Sequence, residues 1–209
     1  MEEKNTVLNY EDDGWDDLFL APELLSSGYE YKLIADNPCF GVYTMPLFSS
    51  KFCNDLLAEL KTFDNWTEGR HENYPTNDVL IENFNKDLAE IYASTIKNII
   101  VPTVDSLYDT TINKKRLKCE TFIIRYNPDI QGSLKLHHDA STFTSLVTLS
   151  APTDYVGGGT FFPEHKTLLK GKQGEVAFHP GALTHKHGGR PITSGERYLI
   201  VSFCRIDYS

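Results

Sequence analysis

After Lys118 the apolar residues of this chain change their period, and that change restricts the folds open to it more than any other feature. Lys118, Glu120, Phe122, Ile124 and Tyr126 alternate with Cys119, Thr121, Ile123 and Arg125. A two-residue period of this kind is that of a strand. Asn127-Pro128-Asp129 ends it as a turn. Further short extended stretches are expected at 134–139, 143–149, 159–162, 167–169, 175–178, 183–187 and 198–204, separated by glycine and proline, with a long turn at 152–159.

Ahead of Lys118 the period is helical. An extended stretch at 40–45 breaks at Pro46, and Ser49 or Ser50 can cap a helix in which Phe52, Leu56, Leu60 and Phe63 recur. Residues 66–75 read as a polar loop in which His71 is a surface histidine. A long amphipathic helix is expected over 82–100, with Leu88, Ile91, Tyr92, Thr95 and Ile99 on one face, and Pro102 ending or kinking it. Helices first and many short strands after predict an α+β chain. Its double-stranded β-helix (jelly-roll) core, about 117–204, is flanked by N-terminal helices at about 49–108.

Charge separates the chain into two parts. Of its net charge of −9, residues 1–30 carry nine acids against the single base Lys4. Residues 1–35 are therefore expected to form an acidic N-terminal arm, part of which packs down through Trp15, Leu18, Phe19 and Leu20, ahead of one domain at 36–209. No basic stripe suggests nucleic-acid binding, and no apolar run is long enough for a transmembrane segment. The N-terminus lacks the basic and apolar regions of a signal peptide, so the chain is either not secreted or a domain excised from a longer one. Cys39, Cys53, Cys119 and Cys204 have no metal-finger spacing and are expected to be buried thiols.

The chemistry is concentrated in histidines. In an extended Leu136-His137-His138-Asp139, His137 and Asp139 point the same way and His138 points to the other face. A third ligand from a distant strand would complete two histidines and one carboxylate on one face of a metal, the arrangement of non-haem Fe(II) oxygenases. His187 is the candidate. Ten residues beyond it, Arg197 opens the apolar run Tyr198–Phe203, where a buried guanidinium needs an anion. The far carboxylate of a keto-diacid such as 2-oxoglutarate would supply one. Alternation alone does not exclude His185 in place of His187. His138 is expected to be packed or at the surface. His165 and His179 have no partner that the sequence identifies, and a second metal site made from these three stays open. Gly157-Gly158-Gly159 lacks the lysine and following helix of a phosphate cradle and reads as a turn.

Several stretches together closely resemble the C-terminal catalytic domain of procollagen lysyl hydroxylases, over about residues 40–203. They are Phe122-Ile123-Ile124-Arg125-Tyr126-Asn127-Pro128-Asp129, His137-His138-Asp139-Ala140-Ser141-Thr142-Phe143-Thr144, Asp154-Tyr155-Val156-Gly157-Gly158-Gly159, His179-Pro180-Gly181 and Arg197-Tyr198. The sequence looks like a divergent member of the kind giant viruses carry. The resemblance implies Fe(II)- and 2-oxoglutarate-dependent hydroxylation at C5 of lysines in collagen-like Gly-Xaa-Lys sequences, with succinate and CO2 as co-products and ascorbate as a further cofactor. Carried across, the iron ligands fall on His137, Asp139 and His187 and the 2-oxoglutarate arginine on Arg197, while Tyr126 matches a tyrosine expected to approach the co-substrate. Leu146 and Ser150 depart from the family, which usually has asparagines there. The resemblance also implies a homodimer, with Leu183 as interface candidate and a core leucine as the alternative, and action in the lumen of the endoplasmic reticulum. The competing expectations are a prolyl or other side-chain hydroxylase of the same chemistry, and a non-catalytic metal-binding β-barrel module.

Overall fold

The computed structural model describes residues 14–70 and 73–207. The most acidic part of the arm and His71 lie outside the described residues. The strands are β1 Asp36–Cys39, β2 Val42–Pro46, β3 Thr67–Glu68, β4 Asn77–Leu80, β5 Leu117–Tyr126, β6 Leu134–His137, β7 Phe143–Thr148, β8 Tyr155–Gly157, β9 Thr160–Phe162, β10 Thr167–Leu169, β11 Glu175–Pro180, β12 His187–Gly189, β13 Ile192–Gly195 and β14 Arg197–Ile206. They form an antiparallel eight-stranded sheet in the order β1-β2-β11-β7-β14-β5-β4-β3, a four-stranded sheet β10-β9-β12-β6 and the pair β13-β8. This is a jelly roll with helices on one side.

Strand alternation explains how the large sheet serves two cores. Phe122, Ile124 and Tyr126 of β5, Leu146 of β7, Ala177 of β11 and Leu199 and Val201 of β14 share the inner cluster. Their sequence neighbours Ile123, Val147, Val176, Phe178 and Ile200 face the helices. Each central strand is therefore apolar on both faces, as a strand between two layers must be. The helical layer includes Ser50–Leu60, capped by Ser49, whose side chain accepts from the Phe52 amide. Trp15, Phe19, Leu20 and Leu24 are buried in the same layer.

Some expected elements differ. The helix expected over 82–100 restarts at Asn85, which caps Lys86–Thr95, and then runs on through a π-helical turn, Ile96–Ile100, into Val101–Tyr108. Pro102 has no amide to donate and would press on the carbonyl four residues back; the widened turn just before it lets the helix continue. Residues expected as a strand at 183–187 form a turn instead. Leu183 has φ 77°, and only from His187 does pairing begin. Tyr155–Gly157, expected within a long turn, pairs with Ile192–Gly195. Cys119 and Cys204, expected as thiols, are joined in a disulfide because the long β5–β14 register places them directly opposite each other, 4.2 Å between Cα atoms. Cys39 and Cys53 are free.

Candidate metal centre

His137 ends β6 and His187 begins β12, and the two residues are register partners across that pair. Asp139 lies two residues beyond β6, so the tail of one strand and the start of its neighbour deliver all three side chains to one point. Asp139 Oδ1 lies 3.2 Å from His137 Nε2 and 3.7 Å from His187 Nε2. One ligand atom from each residue lies within 4.8 Å of the others, and no other such trio of metal-binding side chains occurs among the described residues.

Each ring is held in the form a metal requires. His137 Nδ1 donates to Lys135 O at 2.7 Å and His187 Nδ1 to His185 O at 2.9 Å, which leaves both Nε2 lone pairs directed at the centre. Thr144 Oγ1 donates to Asp139 Oδ2 at 2.6 Å and is itself engaged by Ser141 Oγ at 2.9 Å. Asp139 Oδ1 is buried and accepts no hydrogen bond. Buried carboxylate oxygens are rarely left so. Burial opposes ionisation of Asp139, but His137, His187, His179 and Thr144 together hold its carboxyl well below the usual range. Burial drives His187 down to about 3, while Asp139 and the Lys135 carbonyl outweigh burial at His137 and raise it. An anionic carboxylate with two imidazole lone pairs on one face fits a divalent metal.

A cavity of about 240 Å³ opens onto this face, with apolar walls that include Ile124, Leu146, Leu199 and Val201. Arg197, only 2% exposed, lies opposite Tyr126 in the β14–β5 register, its guanidinium 5.7 Å from the Tyr126 ring and 6.0 Å from that of Tyr155. Its Nε has no hydrogen-bond partner. Leu146 and Thr160 line both the metal cavity and the narrow space around Arg197. The space around Arg197 thus lies next to the metal cavity, with Leu146 and Thr160 as the wall common to both.

No family model matches the chain. It is 36% identical over 192 residues to the human multifunctional procollagen lysine hydroxylase and glycosyltransferase LH3, covering 87% of this chain and 26% of that protein. Human procollagen-lysine,2-oxoglutarate 5-dioxygenase 2 is 34% identical over 181 residues, 81% of this chain and 24% of the relative. The chain is a homologue of one segment of the procollagen lysine hydroxylases. It spans about a quarter of the length of these curated lysine hydroxylases. Its fold matches that of the viral collagen prolyl hydroxylase of Paramecium bursaria chlorella virus-1, solved as a 2-oxoglutarate complex, with TM-score 0.56 and 20% identity over 80% of this chain and 96% of that one.

Among the expected site residues, His137, Asp139, His187 and Tyr126 line the cavity, and Arg197 lies beside it across Leu146 and Thr160. His185 does not: it sits in the turn, with Nε2 donating to Phe40 O at 2.9 Å and Nδ1 bonded to Thr184 Oγ1. His138 is exposed at the cavity wall. Leu183 is 88% exposed, which removes the core reading. Two buried residues beside the centre were not placed there from sequence, although His179 was left open for a second metal site. One is Thr144. The other is His179, whose Nδ1 donates to Pro180 O while its Nε2 faces Asp139 Oδ2 at 3.8 Å. Strand parity would have found both, since Thr144 shares a face with Leu146 and His179 with Ala177.

Proposed function

We propose that this chain is an Fe(II)- and 2-oxoglutarate-dependent dioxygenase that hydroxylates C5 of lysine side chains in collagen-like Gly-Xaa-Lys sequences. Each turnover would consume one O2 and one 2-oxoglutarate, one oxygen atom entering succinate as CO2 leaves and the other forming the new hydroxyl. The observation that carries this reading is the buried face of His137, Asp139 and His187 on an apolar cavity, with buried Arg197, whose Nε has no hydrogen-bond partner, beside it across Leu146 and Thr160. Similarity to the lysine hydroxylases supplies the substrate.

The residues divide the work. His137 and His187 present Nε2 because carbonyl oxygens hold their Nδ1 protons, and Thr144 turns Asp139 so that Oδ1 remains for the metal. Iron held there would activate O2, which is the oxidant, and ascorbate would keep the iron ferrous. Arg197 takes the far carboxylate of 2-oxoglutarate, with Tyr126 beside it, and Leu146, Leu199 and Val201 keep water from the reacting side. Arg197→Ala is expected to raise the 2-oxoglutarate KM by one to two orders of magnitude, since a buried charge-assisted pair is worth roughly 2–3 kcal/mol. Steady-state succinate release measures this, and an unchanged KM would place the anchor elsewhere.

The reading extends to assembly and compartment. A homodimer through the exposed Leu183 would cover an apolar side chain held out by a left-handed turn. Sedimentation of wild type against Leu183→Glu tests it. The Cys119–Cys204 bond favours an oxidising compartment such as the endoplasmic reticulum lumen. The central experiment is mass spectrometry of a Gly-Xaa-Lys repeat peptide after incubation with protein, Fe(II), 2-oxoglutarate and ascorbate, with succinate followed in the same tube. A one-oxygen gain on lysine, lost in His187→Ala, is expected. Succinate without lysine oxidation rejects the substrate, and iron binding without either product favours a non-catalytic metal module.

A further inference from the structure

Lysine brings a charge that the cavity has to accommodate. C5 is bonded to the carbon carrying the ammonium, so a lysine with C5 at the metal face holds its nitrogen only two bonds away, roughly 2.5 Å. Burying an ammonium without a counter-group is costly. Among the described residues, Asp139 is the only carboxylate in the cavity wall, and its two oxygens are directed at Thr144 and at the metal face. The remaining candidates are aromatic faces. Of these, Tyr126 faces the Arg197 guanidinium at 5.7 Å, Phe122 faces that of Arg70 at 4.6 Å, and Phe203 packs edge-on against Phe122 at 5.1 Å. Tyr74 is different. It lines the same cavity, is 38% exposed, and places its ring centroid 5.1 Å from that of His137.

We propose that the ring of Tyr74 is the binding face for the substrate ammonium, and so selects lysine over a neutral side chain of the same length. The inference rests on the lysine-hydroxylase reading, which supplies the cation. Tyr74 lies beside a metal ligand and at the solvent-accessible wall, where a side chain entering from outside meets it while its C5 reaches the metal face. The contact belongs to the ring and not to the hydroxyl.

The test measures binding as well as turnover. Protein loaded with Mn(II) and 2-oxoglutarate under anaerobic conditions is titrated calorimetrically with a Gly-Xaa-Lys repeat peptide and with the same peptide carrying norleucine for lysine. Wild type is expected to prefer lysine. Tyr74→Leu should weaken lysine-peptide binding about tenfold, the order of a desolvated cation–π contact, and leave the norleucine peptide unchanged. Tyr74→Phe should retain the preference. An unchanged lysine preference in Tyr74→Leu, equal binding of both peptides by wild type, or a loss in Tyr74→Phe as large as in Tyr74→Leu would each overturn the proposal. The aerobic Fe(II) assay on the same proteins separates the two ideas. Tyr74-dependent lysine binding without hydroxylysine would sink the reaction and leave the cation face standing. Hydroxylysine formed equally well by wild type and Tyr74→Leu, at equal KM, would do the reverse.

Discussion

Two atoms of Asp139 have different tasks, and Thr144 separates them. With Oδ2 held at 2.6 Å by the threonine hydroxyl, Oδ1 is left facing the imidazoles. Thr144→Val keeps the shape and removes the donor, so divalent-metal affinity is expected to fall by about 10- to 100-fold, the usual cost of losing an outer hydrogen bond to a ligand. Titration calorimetry with Mn(II) reads this, and an affinity within twofold of wild type would assign Thr144 to packing alone. The histidines also make the metal-free protein pH-sensitive. His187 is held down to about 3 in the folded state against an ordinary 6.5, and His179 is lowered too, both first by burial. Between those values the unfolded chain binds protons that the folded chain does not, so stability falls as pH drops from 6.5 towards 3. The raised value of His137 has the opposite sign and acts above 6.5. Urea midpoints of the metal-free protein should therefore decline on acidification, and His187→Gln should flatten that decline.

At the scale of elements, the centre depends on how closely β12 approaches β6. A Cβ on Gly188 would lie 2.7 Å from Leu134 O and 3.1 Å from Lys135 C, both backbone atoms that cannot swing aside. Gly188→Ala should push the strands apart and separate His137 from His187. Metal affinity is expected to fall at least tenfold even where the fold survives, because a ligand set must be held to within about 0.5 Å. Circular dichroism beside a metal titration distinguishes this from unfolding. The segment after Asp139 is tied to the end of β14: the Thr142 amide donates to Cys204 O at 2.8 Å, the Ile206 amide to Thr142 Oγ1 at 3.1 Å, and Arg205 to Ala140 O. Buried polar residues of β4 are satisfied in a similar way. Asp78 pairs with Arg70 at 2.8 Å, and Asn77 accepts from Arg125 at 2.8 Å. Those partners make a strand out of residues whose own preference is for turns.

For the molecule as a whole, the disulfide closes the longest covalent loop. Cys119 and Cys204 are 85 residues apart, and their bond encloses β6 to β13 with the entire candidate centre. Removing it by Cys119→Ala with Cys204→Ala is expected to cost about 2–5 kcal/mol, chiefly by releasing the unfolded chain. Urea denaturation of the variant and of reduced wild type should give matching midpoints below that of the oxidised protein. Coincident midpoints for oxidised and reduced wild type would contradict this. The metal ligands at the two ends of the enclosed segment would remain tied through β14, so the variant should lose stability before it loses metal.

Local pattern was sufficient for much of this. The change of period at Lys118, the Ser49 cap and the two-residue alternation of β5 and β14 are properties of neighbouring residues, and they carried the jelly roll with its helical layer. The two-residue step from His137 to Asp139, and the ten-residue step from His187 to Arg197, were legible for the same reason. What only the tertiary structure decided depends on contacts far apart in the chain. The register of β5 on β14 makes a disulfide of Cys119 and Cys204. The left-handed turn at Leu183 removes His185 from the strand and ties its ring to Phe40 O. The approach of β11 to the centre brings His179 against Asp139. No local preference encodes such meetings, because each depends on where a second segment, up to 145 residues away, comes to rest.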